Sequence, residues 1–243
     1  MKEFIKKFTT HEDYEEYISG DSVVLPNVSY CKDTKDVHYN HEDPTNKHAY
    51  VNLELPSGTL WATMNVGANS ETDYGLYFAW GETQGYTGAT QEKQFTINDY
   101  KFYDGHSMTK YNSSDGIAYL EEIDDAASVN FKGEWRIPAG SNFQELISNT
   151  TNTWVENYKN SGVNGMLFTS NSNGNTLFFP ACGFCGNGGT SAVGDAACYW
   201  ANSWIGSDED FANQFYGENL LNPQCDTFYR YYGICVRGII GEW

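Results

Sequence analysis

The chain has 243 residues, with 14 Lys and Arg against 32 Asp and Glu and a formal charge of −18. Such a surface repels phosphate backbones and anionic bilayers, so nucleic acid is disfavoured as a partner. No apolar run approaches the roughly 20 residues that cross a bilayer, and the opening MKEFIKKFTTHEDYEEYISG is charged and amphipathic, so neither membrane insertion nor an export signal is expected.

Aromatic residues make up 16% of the chain and 24 residues are Gly, a mix that favours short strands, turns and aromatic surfaces over helical bundles. In chain order, Thr10 and Asp13 open a short capped helix with Tyr14, Tyr17 and Ile18 on one face and Gly20 as its stop. Residues 23–30 are strand-like. The polar stretch 32–47 reads as a linker or exposed loop. That places a boundary near residue 48, between an N-terminal attachment segment (1–48) and a ligand-binding domain (49–243).

From residue 50, YVNLEL, TLWATMNVG and GLYFAWGET carry β-branched and aromatic residues between Gly, Asn and Ser turns, which predicts closely spaced strands. Two helices are predicted. One lies in LEEIDDAASVNF, with Asp124 and Asp125 at its N-terminal turn, where acids favour the helix dipole. The other covers 141–147, with Ser141 and Gln144 in capping-box spacing and Phe143, Leu146 and Ile147 facing inward. Beyond Gly165 short strands alternate with Gly- and Asn-rich turns, so the fold class is α+β.

Five of the six cysteines (Cys182, Cys185, Cys198, Cys225 and Cys235) fall in the last quarter of the chain, with Cys31 left over. A disulfide framework and simple packing both remain open; a chain of this length has core enough without staples, which favours packing. His38, His41 and His48 are too loosely spaced to predict a metal centre, and Asp208, Glu209 and Asp210 read as a solvated loop.

The runs VNLELPSGTLWATMNVGANSETDYGLYFAWGET (51–83), DDAASVNFKGEWRIPAGSNFQEL (124–146), VNGMLFTS (163–170), NTLFFPACGF (175–184) and RYYGICVRGI (230–239) occur in the order of one domain's landmarks. Together they resemble the C-type-lectin-like domain of gut bacteria and their phages, allied to the variable proteins of diversity-generating retroelements and to the phage major tropism determinant. The GxWRxP element before a capped helix is the most specific piece. Within it, Trp135 is expected in the core, Arg136 beside a buried carboxylate or carbonyl, and Pro138 at the helix start. Trp61, Trp80 and Trp200 are expected as packing anchors.

The resemblance implies a C-type-lectin-like fold and a non-enzymatic binding protein with no cofactor. Its variable region would lie at about 184–229. There Cys225, Asp226, Thr227, Phe228 and Tyr229 are each reachable from an AAC codon by changing only adenines, as are Ser191, Ala192, Ala196 and Cys198. Phe184, Cys185, Trp204, Phe211, Asn213, Phe215 and Asp195 complete the expected ligand-binding set, since aromatic rings give contact area at low entropic cost. The implied partner is a host cell-surface protein or glycan. The implied setting is a phage virion, at a tail-fibre tip, or a bacterial cell surface, with a homo-oligomer, a trimer by family analogy.

Calcium-dependent lectins of this fold use a Trp-Asn-Asp triplet; here Trp200-Ala201-Asn202 has no acid after Asn202, so no calcium is expected there. The allied formylglycine-generating enzymes use paired thiols. Cys182 with Cys185, or Cys225 with Cys235, could stand in that role, which makes a sulfhydryl enzyme the alternative. A purely structural particle protein is a third reading, and it predicts no exposed aromatic patch.

Overall fold

The structure is a computed structural model described over residues 5–8, 37–40 and 48–241. The helix expected over 10–20, the strand at 23–30, Cys31 and His41 lie outside the described residues.

Strands β1 (Ile5–Phe8), β2 (Val37–Asn40), β3 (Tyr50–Asn52) and β4 (Leu60–Asn65) join the closing strand β13 (Arg237–Ile240) in an antiparallel sheet of order β1-β2-β3-β4-β13. The stretch 32–47 is therefore not wholly a linker. Val37 opposes Val51 and His38 opposes Tyr50, and the Val-His-Tyr segment has the β-branched and aromatic character that suits a pleated strand. Strands β5 (Thr150–Val155), β6 (Gly165–Ser170) and β7 (Thr176–Pro180) form a meander, and β8 (Phe184–Gly186) and β9 (Gly189–Ser191) a hairpin. A further three-stranded sheet runs β10 (Ala196–Trp204), β11 (Phe211–Glu218) and β12 (Leu221–Tyr229), with β12 at its edge.

Helices α1 (Ala126–Phe131) and α2 (Gly140–Asn149) are the two α-helices among the described residues. Small antiparallel sheets with two helices make the class α+β. Asp125 caps α1, its carboxylate accepting from the backbone N–H groups of Ala127 and Ser128 at 2.8 and 2.9 Å. The Ser141 and Gln144 spacing does not mark the start of α2. The helix begins a residue earlier, at Gly140, where Asn142 Oδ1 accepts from the Ala139 N–H at 2.9 Å.

The core is built from rings. Phe179 lies 4.5–5.8 Å, centroid to centroid, from Tyr199, Phe168, Phe215 and Trp61, separations typical of tilted and edge-to-face aromatic pairs. Trp61, Trp80, Trp135 and Trp200 are all buried. Two of them spend their indole N–H across the core, Trp80 on Ala201 O and Trp200 on Phe78 O, at 2.8 and 2.7 Å. Arg237 is fully buried too: its guanidinium donates to Asn65 Oδ1, Ala62 O and Phe178 O and lies 4.8 Å from the Phe179 ring centroid.

His48 stacks on Phe131 at 3.7 Å and meets Trp135 edge-on at 6.4 Å. Burial lowers its pKa from 6.5 to about 4. Because the unfolded chain takes up this proton first, His48 contributes stability that is present above pH 6.5 and lost as pH falls through about 4. Chemical denaturation of wild type and His48→Phe at a series of pH values checks this. The substitution keeps the stack and should flatten the loss of stability over that window.

Candidate functional site

Strand β12 has only exposed and half-buried residues, alternating from 222 to 227, whereas every residue of β10 from 196 to 202 is buried. This contrast sorts the expected ligand-binding residues into two groups. Phe184, Ser191, Ala192, Asp195, Phe211, Asn213, Cys225, Asp226, Thr227, Phe228 and Tyr229 are exposed or half-buried. Cys185, Ala196, Cys198, Trp204 and Phe215 are buried, which removes them from a contact surface in this conformation.

The reasons are local. Cys185 is locked by reciprocal backbone hydrogen bonds with Gly233, at 2.7 and 2.9 Å. Ala196 and Cys198 belong to β10, which pairs with β11 on one side and bridges Cys235 through Tyr199 on the other. Phe215 stacks on Phe143 at 5.4 Å inside the ring core. Trp204 turns its indole N–H inward to Ile117 O, at 2.7 Å.

What remains outside is a connected aromatic cluster. Phe211 and Tyr229 are cross-strand partners with centroids 4.4 Å apart, the direct opposition through which side-chain pairs stabilise sheets. Phe184 meets Phe228 at 5.0 Å and stacks on Tyr232 at 5.9 Å. Asp226 and Phe228 share one face of β12, with Cys225, Thr227 and Tyr229 on the other. Beyond the strand end Tyr232 reaches both sets, at 5.3 Å from Phe228 and 5.5 Å from Tyr229, and Tyr231 lies 5.2 Å from Tyr229.

Tyr231 and Tyr232 were not among the residues read as ligand-binding from sequence, because RYYG was assigned to the framework. Their signal was the uninterrupted ring density of Phe228, Tyr229, Tyr231 and Tyr232 around a single Arg. Tyr232 is held in place from below: Asn187 Nδ2 donates to its hydroxyl at 2.8 Å. Gly186 leaves it room, since a Cβ there would lie 2.8 Å from its ring carbons.

Arg230 explains why this cluster stands on firm ground. Flanked by Tyr229 and Tyr231, it is itself 0% exposed. Its guanidinium donates to Tyr111 O and Lys110 O at 2.9 Å, to Glu209 O at 2.8 Å and to Tyr100 Oη at 3.2 Å, and lies 4.8 Å from the Trp80 ring centroid. Its backbone N–H bonds Asp210 O and its carbonyl accepts from Trp80. The edge of β12 is blunted in two ways. Pro223 has no N–H to offer, and Asp226 Oδ1 accepts from the Thr227 N–H at 2.8 Å, so the side chains and not the strand edge are what β12 presents.

A concavity of about 350 Å³ lies beside α1 and is lined by Leu120, Glu122, Asp125, Ser128, Glu134 and Trp135. Burial pushes the Asp125 carboxyl up to about 6, although the N–H groups of Ser128, Ile137 and Ala127 pull it down. With those donors engaged, Asp125 acts as a helix cap that also ties Ile137 to α1, and Arg136 lies in its field. Among the described residues no group of His, Cys, Asp and Glu is placed to hold a metal ion.

The cysteines Cys182, Cys185, Cys198, Cys225 and Cys235 are free thiols. Comparison with protein-family models, with curated proteins and with solved structures returned no match. Of these five thiols only Cys225 is not fully buried, its Sγ 3.5 Å from Gly140 O under α2. In a Cys31→Ser background, mass mapping after brief treatment of the native protein with a maleimide should therefore find label at Cys225 alone. Label at Cys182, Cys198 or Cys235 on the same timescale contradicts this burial.

Proposed function

We propose that the chain is a receptor-binding or adhesion protein of C-type-lectin-like fold, which recognises a host cell-surface protein or glycan through the aromatic face at the end of β12. The carrying observation is the cluster of Phe184, Phe211, Phe228, Tyr229, Tyr231 and Tyr232, with Tyr229 exposed and the other rings half-buried, mounted on a buried arginine. Large rigid rings beside Asn, Asp and Ser side chains are what binding surfaces use, and such rings lose little rotamer entropy on contact. A structural particle protein needs no such open cluster.

The retroelement resemblance fits this division in part. The codon pattern at Cys225, Asp226, Thr227, Phe228 and Tyr229 falls on a strand with no fully buried side chain, where exchange costs the core little, whereas Ala196 and Cys198, reachable in the same way, lie in the buried β10. We place the protein at a phage tail-fibre tip or on a bacterial surface, working as a homo-oligomer, a trimer by analogy, so that modest single-site affinity is multiplied.

The alternative, a sulfhydryl enzyme of the formylglycine-generating type, draws on Cys182, whose pKa goes down against the effect of its burial because the Cys235 thiol hydrogen-bonds to it. Burial pushes Cys185, Cys198, Cys235 and Cys225 up, and four of the five thiols have no open face, which favours the binding reading.

Phe228→Ala and Tyr229→Ala should each cost about 1–2 kcal/mol of binding, roughly a 5- to 30-fold loss, with folding unchanged by circular dichroism. Flow cytometry of the fluorescently tagged protein on a panel of gut bacteria is the measurement. Full retention by both variants, or activity abolished by a thiol-blocking reagent, contradicts the proposal.

A further inference from the structure

Along the stretch of chain that carries the aromatic cluster, the exposed charges have a single sign. From residue 160 to residue 241 the sequence holds two cationic side chains, Arg230 and Arg237. Both are 0% exposed and bonded into the core. The acids of the same stretch, Asp195, Asp208, Glu209, Asp210, Glu218 and Asp226, are all exposed or half-buried.

Two of these acids adjoin the rings. Asp226 is two residues before Phe228 on the same face of β12, and Asp210 precedes Phe211 and lies close enough to Tyr231 to help raise its phenol. Among the described residues neither forms an ion pair, and Lys93, Lys101, Lys110 and Lys159 are engaged by Glu82, Asp124, Glu121 and Glu71. Glu209 is committed differently, accepting from the backbone and hydroxyl of Ser113.

Resting on the reading of this cluster as the binding surface, we propose that its occupant is a cationic segment of a partner protein that straddles the edge of β12, with Arg or Lys side chains laid over Phe228 beside Asp226 on one face and over Tyr229 and Tyr231 beside Asp210 on the other. The chemistry selects this class. Ring faces carry the negative end of an aromatic quadrupole, so they attract a guanidinium or ammonium group, and a planar guanidinium also stacks. Carboxylates at the rim add attraction and steer a basic partner from a distance. A sialylated or phosphorylated ligand is repelled by the same acids, and a neutral sugar gains nothing from them.

The test is fluorescence anisotropy with labelled octa-arginine, a neutral Gly-Ser octapeptide, and neutral and sialylated trisaccharides, on the full chain. Octa-arginine should bind, and the neutral peptide and both sugars should not. The Asp210→Asn/Asp226→Asn pair should weaken octa-arginine about fivefold or more, Tyr229→Ala should weaken it comparably, and added salt should weaken it further. The Glu122→Gln/Glu134→Gln pair, beside α1, removes the same charge elsewhere and should leave affinity within about twofold.

Equal losses from both acid pairs, or octa-arginine bound no better than the neutral peptide, overturn the inference. A sugar that binds, is lost in Tyr229→Ala and ignores Asp210→Asn/Asp226→Asn also overturns it, yet leaves the binding face standing. Cell binding undiminished in both Phe228→Ala and Tyr229→Ala removes the binding face itself.

Discussion

A guanidinium that is taken out of water must find a donor's worth of acceptors for nearly every N–H, or the molecule does not fold around it. Arg230 meets that constraint with three backbone carbonyls, from Lys110, Tyr111 and Glu209, together with the Tyr100 hydroxyl and the Trp80 ring. These partners come from three separate stretches of chain. One side chain therefore fixes the end of β12 against the loop at 100–111 and the turn before β11, and it does so in the middle of Phe228, Tyr229, Tyr231 and Tyr232.

From that anchor the molecule divides into a framework and a display. The framework is the ring core around Phe179, the buried strand β10 and the Arg237 network, where a change of one methylene is felt by many neighbours. The display is β12 with the turn that follows, touching the framework through Cys225 beneath α2 and through the cross-strand pairs with β11. Under the proposed binding role, a surface that varies without unfolding its carrier needs this separation, and the exposed acids beside the rings are what would select a basic ligand.

Much of the framework was legible in the sequence because its signals are local. Asp125 ahead of a short apolar stretch marks a capped helix, and Trp61, Trp80, Trp135 and Trp200 are too large and too apolar to be left outside. The start of α2 lies earlier than the Ser141 and Gln144 pair marks it, since Ala139 is the N-cap and Asn142, not Gln144, is the residue whose side chain reaches back to it. Ala196 and Cys198 were misread because a strand covered on both faces shows no alternation, so small core residues look like an unordered mixture. Of the aromatics read as one patch, Tyr229 is exposed and Phe184, Phe211 and Phe228 are half-buried, whereas Phe215 and Trp204 are buried. Only the pairing register and the ring core, both set by contacts distant in sequence, separate the two groups.

The central claim is that Arg230 holds the aromatic face in place. Hydrogen–deuterium exchange on Arg230→Lys measures this most directly, because lysine keeps the charge but loses the fork that serves three carbonyls at once. The account predicts faster exchange in peptides covering 225–233 and 108–112, with β5, β6 and β7 unchanged. Wild-type protection at 225–233 in a folded Arg230→Lys protein would contradict it.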